Sequence, residues 1–421
     1  MNPISPDSLK RSRLLYTVEA ALEHLISILV TGSFLATLTN ELGFSDSLTG
    51  IMSSVISLGC LFQLLSLLVR GRRQKRFVIV LSILNQLLFT LLYAVPLVRL
   101  DGWIKAGIFI VMIFSAYLLY NLAHPKKISW LMSLVDDSHR GRFTANKEII
   151  SLLSGMVFSF CIGSVIDYFA ARGRIKIAFV LSGLMIFILM LLHSLTMIFA
   201  VEKTSPIPPK KSFKSILLEP VKNKSLLRVA VVFILYYIST YSSVPFYGTY
   251  QINELGLNLK FISSIVICGS ISRISVSRFW GRYADKRSFA AMIEKCFVFL
   301  GISQICVILA VPSNGAVMFV LYNIFYGIAS GGINSALTNL IIDHVMPEKR
   351  ADSLAITQAC AGLTGFLTTL CISPIVSYIQ NNGNHIFGLQ IYAQQFVSSI
   401  AFVFTVLAIF YTRHAFLKKE G

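Results

Sequence analysis

A helix needs about twenty mostly apolar residues to cross a hydrocarbon layer roughly 30 Å thick, and this sequence supplies such runs twelve times. They cover residues 14–39, 48–69, 77–98, 105–134, 144–169 and 177–201 in the first half, and 227–251, 258–280, 289–311, 316–344, 353–379 and 390–412 in the second. A soluble chain of 421 residues would carry charged surfaces, yet only 13% of these residues are charged and the mean hydropathy is +0.72. The expected fold class is therefore an all-α membrane protein with twelve transmembrane helices and the lipid bilayer as its surroundings.

The formal charge of +18 does not call for nucleic acid. Of the 37 Lys and Arg, 28 fall in loops or adjoining span ends on the side of the N-terminus, 6 on the other side and 3 deeper within spans. That asymmetry is the positive-inside pattern and predicts both termini in the cytoplasm of a multi-pass protein of the cell membrane. Trp103, Trp130 and Trp280 fall near span ends, where an interfacial aromatic belt is expected. The seven cysteines lie in apolar spans without a CxxC pair, which reads as buried small hydrophobes and no disulfide framework. The first apolar run is long and holds two glutamates, so it is expected to stay uncleaved.

Residues 202–226 break the apolar pattern with Pro, Lys and Ser. They divide the chain into an N-terminal six-helix bundle, 1–201, a cytoplasmic linker, 202–226, and a C-terminal six-helix bundle, 227–421. The halves repeat weakly. NELGF at 40–44 returns as NELGL at 253–257, an offset of 213, and an offset of 210 aligns Arg140 with Arg350, Gly155 with Gly365 and Cys161 with Cys371.

Six plus six spans, a basic central loop and parallel repetition resemble the major facilitator superfamily over the whole chain. GRYADKRS, at 281–288, resembles that superfamily's loop signature through Gly281, Asp285, Lys286 and Arg287, with Ser288 in place of its second glycine. The first-half loop VRGRRQKRF keeps the basic residues without the aspartate. The proline-bearing glycine motif of the fifth helix and the arginine of the fourth are missing. The resemblance implies that the first, fourth, seventh and tenth helices line a cavity. It also implies that Asp285 gates the cytoplasmic side by facing the start of span five, with Arg142 as charge partner.

The polar residues inside the spans are the candidates for function. Span four carries Tyr117, Tyr120, Asn121, His124 and Lys127 on one face, with Pro125 among them. A lysine at the centre of a membrane helix costs about 2.5 to 3.5 kcal/mol, so Lys126 and Lys127 need counter-charges, water or a snorkelling route. Two readings fit: an anion pathway, or a salt bridge tying helices together. Arg273 adds a planar donor suited to carboxylate or phosphate.

Span one offers Glu19 and Glu23, one turn apart, with His24 adjoining. A carboxylate whose cationic partner is displaced becomes able to take up a proton, which would couple transport to a proton. His193, alone near the end of span six, reads as structural or interfacial. Tyr236, Thr240, Ser243 and Tyr247 in span seven, with Tyr237 and Tyr241 beside them, and Asn323, Tyr326, Ser330 and Asn334 in span ten form further stripes. The GIASGG run, 327–332, reads as a close-packing helix surface.

No P-loop, HExxH, GxSxG or loop metal cluster is present, so neither enzyme chemistry nor a cofactor or metal is expected. The leading expectation is a monomeric secondary transporter of a small organic anion, coupled to a proton or sodium ion. Efflux of lipophilic or zwitterionic compounds is the alternative. A non-transporting receptor or lipid scramblase is the different class.

Overall fold

The computed structural model describes residues 6–66, 74–135, 140–202, 223–345, 350–386 and 388–417, and almost all of them are helical. The first-half helices are α1 (Pro6–Leu29), α2 (Gly32–Glu41), α3 (Asp46–Ser66), α4 (Lys75–Leu92), α5 (Gly102–Met132), α6 (Arg140–Ala170) and α7 (Ile175–Phe199). The second half contributes α8 (Lys224–Ser243), α9 (Leu259–Lys286), α10 (Phe289–Ile308), α11 (Gly315–His344), α12 (Arg350–Asn381) and α13 (Ala393–Thr412). A two-residue hairpin, His385–Ile386 with Leu389–Gln390, follows α12.

Among the described residues eleven helices are long and apolar enough to cross a membrane. The bent pair of α1 and α2, at 41°, makes a twelfth span. The break falls at Gly32, whose φ of 54 lies in the left-handed region that side chains avoid. Pro245 has a comparable effect beyond α8, where a 3-10 turn at Val244–Phe246 leads to a π-turn at Tyr250–Glu254. By contrast α5 runs through Pro125 without ending.

The repeat is legible in the packing. α1 lies against α6 and α7, and α4 against α5 and α7. In the second half α8 lies against α12 and α13, and α10 against α11 and α13. The turn chemistry repeats too. Gly43 and Gly256, at φ 72 and 62, end the two NELG segments, while Gly173 and Gly383, at φ 67 and 66, end α6 and α12. The last two turns close with the same bond, Arg174 N–H to the Phe169 carbonyl at 2.9 Å and Asn384 N–H to that of Ile379 at 3.0 Å.

The described residues form two compact units. One is drawn from 1–44, 62–210 and 258–263, the other from 45–61, 211–257 and 264–421. The start of α3 therefore belongs with the second-half helices, where the Ser57 hydroxyl donates to the Gly362 carbonyl at 2.7 Å. Asp46 there accepts from Asn253 at 2.9 Å and from Gln380 at 2.8 Å. The start of α9 belongs with the first-half helices, where the Ser263 hydroxyl donates to the Ser159 carbonyl at 3.0 Å. The expected linker lies almost wholly outside the described residues.

Two sequence readings need correction. Only Trp103 is exposed, at 76%. Trp130 and Trp280 are buried, and their indole N–H groups donate to the carbonyls of Val201 at 2.9 Å and Ile328 at 2.8 Å. They turn inward within their units, tying α5 to the segment after α7 and α9 to α11, and form no belt. The seven cysteines are free, as expected, but only Cys296 and Cys306 are buried; Cys161, Cys268, Cys360 and Cys371 are exposed. An apolar run gives depth along a helix and says nothing of which way a residue faces.

Candidate functional site

In the first unit α1 sets Glu19 and Glu23 one turn apart on a single face, and α5 brings Lys127 to both. Its ammonium lies 2.8 Å from the Glu19 carboxylate and donates a hydrogen bond to Glu23. Glu19 and Lys127 are buried, at 2% and 4% exposure. Each charge would be costly alone in this interior, and breaking such a pair typically costs about 3 to 5 kcal/mol.

The cluster extends further than the sequence indicated. His193 of α7, fully buried, has its Nε2 3.0 Å from the Glu19 carboxylate. Its Nδ1 lies 3.1 Å from the side-chain amide nitrogen of Gln86 on α4. His193 is thus not alone, although it is 174 residues from its partner along the chain, and no local pattern marks such a pairing. Lys147 of α6 is a second missed residue. Its ammonium donates to the Tyr16 hydroxyl at 3.3 Å and sits 4.6 Å from the centre of that ring.

The remaining first-half candidates divide. The Asn121 amide is engaged on both its nitrogen and its oxygen, donating to the Tyr117 carbonyl at 2.8 Å and accepting from Gln63 at 2.9 Å, so it bridges α5 to α3. The His124 ring lies 5.0 Å from that of Tyr120, and its Nδ1 is buried with no hydrogen-bond partner among the described residues. His24 packs where Gly155 leaves room: a Cβ there would lie 2.6 Å from its ring nitrogen. Lys126 is half-buried, about 100° round the helix from Lys127.

The second unit gathers aromatic residues. Tyr237 and Tyr241 of α8 stack at 5.6 Å, and Tyr322 and Tyr326 of α11 stack at 5.5 Å. Tyr241 passes over Gly365 beside Ser57. Arg273 of α9 is half-buried, with its backbone against Gly331. The Asn323 amide donates to its own helix at Phe319, 2.9 Å, and Asn334 is exposed. The GIASGG run is a packing surface: a Cβ on Gly327 would stand 2.1 Å from the Gly269 carbonyl oxygen.

At the end of α9, Gly281, Asp285 and Lys286 are exposed. The Arg142 side chain lies outside the described residues. Ser288, which stands where the loop signature has glycine, caps α10 by accepting the Ala291 N–H at 3.1 Å.

The sequence model of the family described as Major Facilitator Superfamily matches residues 21–369. The chain belongs to the Major Facilitator Superfamily. Members of this superfamily are membrane transporters, which are not enzymes, and the chain shares that class with its small-molecule substrates and lipid surroundings. No curated protein sequence matches the chain. Among solved structures the nucleoside transporter NupG is similar, with a TM-score of 0.66, 15% identity and 99% of each chain covered. The POT-family transporter PepTSo gives a TM-score of 0.70 at 12% identity, covering 98% of this chain and 99% of that one. A D-xylose-proton symporter gives 0.67 at 12% identity, covering 96% of each. At these identities the likeness is one of fold.

Proposed function

We propose that this superfamily member carries a small organic anion across the cytoplasmic membrane by alternating access, with a proton as the coupling ion, as a monomer with both termini in the cytoplasm. The observation that carries the reading is Lys127, a buried cation shared by Glu19 and Glu23. An anion that takes the ammonium leaves a carboxylate without its counter-charge, and proton uptake then offsets the loss. Glu23, whose side chain is 24% exposed against 2% for Glu19, is the carboxylate that water reaches first. Lys126 and Lys147 add positive charge in the same unit. In the second unit Arg273, Tyr241 and Tyr326 offer a guanidinium and hydroxyl-bearing rings to the organic part of a substrate.

The test is uptake by proteoliposomes of a panel of radiolabelled mono- and dicarboxylates and sugar phosphates, with and without an imposed proton gradient. At least one anion is expected to accumulate only with the gradient, and Lys127→Ala is expected to abolish its uptake. Undiminished uptake by Lys127→Ala would discard the site, and a response to sodium alone would reassign the coupling ion.

The stacked tyrosines of the second unit support a second reading, efflux of lipophilic or zwitterionic compounds, with the cations serving structure. Resistance of a sensitive host to such toxic compounds on expression, with no anion uptake in vesicles, would favour it.

A further inference from the structure

The exchange proposed for Lys127 leaves His193 unused, although the imidazole is fully buried with a polar partner on each nitrogen. One carboxylate oxygen each of Glu19 and Glu23 and a ring nitrogen of His193 all lie within 4.8 Å of one another. An amide nitrogen can only donate, so the Nδ1 facing Gln86 is an acceptor and the Nε2 carries its hydrogen toward Glu19. That is a neutral imidazole.

Gln86 is the informative partner. It is 2% exposed, yet its side-chain carbonyl oxygen is buried with no hydrogen-bond partner among the described residues. A buried acceptor left unmade costs about 1 to 3 kcal/mol. Turning the amide over would present that oxygen to Nδ1, where it becomes useful only if Nδ1 bears a hydrogen as well. The imidazole would then be an imidazolium, held between the Glu19 carboxylate and the Gln86 carbonyl. The surroundings thus contain partners for both protonation states, and a half-turn of one amide switches between them.

We infer that His193 is a proton-binding site of the first unit, loaded when Lys127 leaves Glu19 and read by the orientation of the Gln86 amide. The timing rests on the anion–proton reading above; the site itself does not. The groups that face it are Glu19 and Glu23 on α1, Gln86 on α4 and Lys127 on α5, with Lys147 of α6 behind Tyr16. On α7 itself, Ser194 and Thr196 are turned to their own helix, donating to the carbonyls of Met190 and His193.

With His193 neutral, two lysines balance two glutamates. When a monoanion draws Lys127 away, one proton restores the balance. It enters at Glu23, passes to Glu19, and is taken by Nδ1 while the ring is turned with that nitrogen toward the Glu19 carboxyl; the ring then turns back, with Nε2–H again on Glu19 and Nδ1–H on the Gln86 carbonyl. The carboxylic acid becomes carboxylate and the imidazole becomes imidazolium, so no other reactant is needed. Net movement would be one anion with one proton, without charge transfer.

The test needs no substrate. Full-length protein with ¹⁵N-labelled histidine is placed in lipid nanodiscs, and the His193 signals are identified among the seven histidines by their loss in His193→Gln. At pH 7 the wild type should show the neutral Nε2–H form, and Lys127→Gln should show the imidazolium. Gln86→Glu, which keeps an acceptor toward Nδ1, should also show the imidazolium at pH 7. Gln86→Leu, which removes it, should confine the imidazolium to more acidic pH than in wild type.

A His193 that stays neutral at pH 7 in both Lys127→Gln and Gln86→Glu would overturn the inference, and so would a titration indifferent to Gln86→Leu. Should Lys127→Gln not fold, the two Gln86 variants decide alone. Failure of anion uptake with this titration intact would sink the transport reading and leave the proton site standing.

Discussion

The carboxylate of Asp167, in the last turn of α6, accepts the backbone N–H groups of Leu259 at 3.0 Å and Lys260 at 2.7 Å, so that α9 is capped by a residue 92 positions before its first. A helix end leaves such groups without partners and carries partial positive charge. Asp167→Ala should lower stability by about 1 to 2 kcal/mol, seen as a reduced melting temperature in detergent. Asp167→Asn should lose less, since it keeps an acceptor. Equal melting of wild type and Asp167→Ala would show the cap to be dispensable.

Lys127 offers a test by double replacement. Lys127→Ala strands two carboxylates and should destabilise by about 3 to 5 kcal/mol. Adding Glu19→Gln and Glu23→Gln to it removes the stranded charge and should recover much of the loss in thermal unfolding. A triple variant less stable than the single one would contradict the ion-pair account.

The contact of α9 with α11 is set by glycine. Gly327→Val has no space beside the Gly269 carbonyl and should cost about 1 to 3 kcal/mol or more through forced separation. At Gly281 an added Cβ meets nothing within 4 Å. Gly281→Ala should therefore leave melting unchanged or raise it by the helix-propensity difference, about 1 kcal/mol. Thermal unfolding of the pair checks both.

Thiol accessibility separates the cysteines. A small maleimide should leave the buried Cys296 untouched in folded protein and modify it once denaturant is added. Mass spectrometry of the labelled peptides reads the result. Rapid labelling of Cys296 without denaturant would be at odds with its place beneath Gly332.

Much of the architecture was legible in the sequence, because apolar run length translates directly into spans. The repeat was legible as well: the paired glycines at 43 and 256 recur because two turns need the same left-handed backbone. The site was legible only in part. Glu19, Glu23 and Lys127 stood out because charge is rare in apolar helices. Gln86 and His193 did not, since their meaning depends on three helices converging. Lys147 was hidden by position, near the end of a span where lysine is ordinary. The tryptophans and cysteines were misread for the same reason: sequence fixes height along a helix, whereas rotation about its axis is settled by neighbours.

The crossing over of residues 45–61 and 258–263 between the two units bears on any attempt to divide the protein. A break in the central connection would give each fragment a stretch that packs with the other, so neither would complete its own unit alone. Two such fragments made in one cell should restore each other, and either made by itself should be degraded. The duplication written into the sequence has, in this sense, produced halves that are alike without being independent.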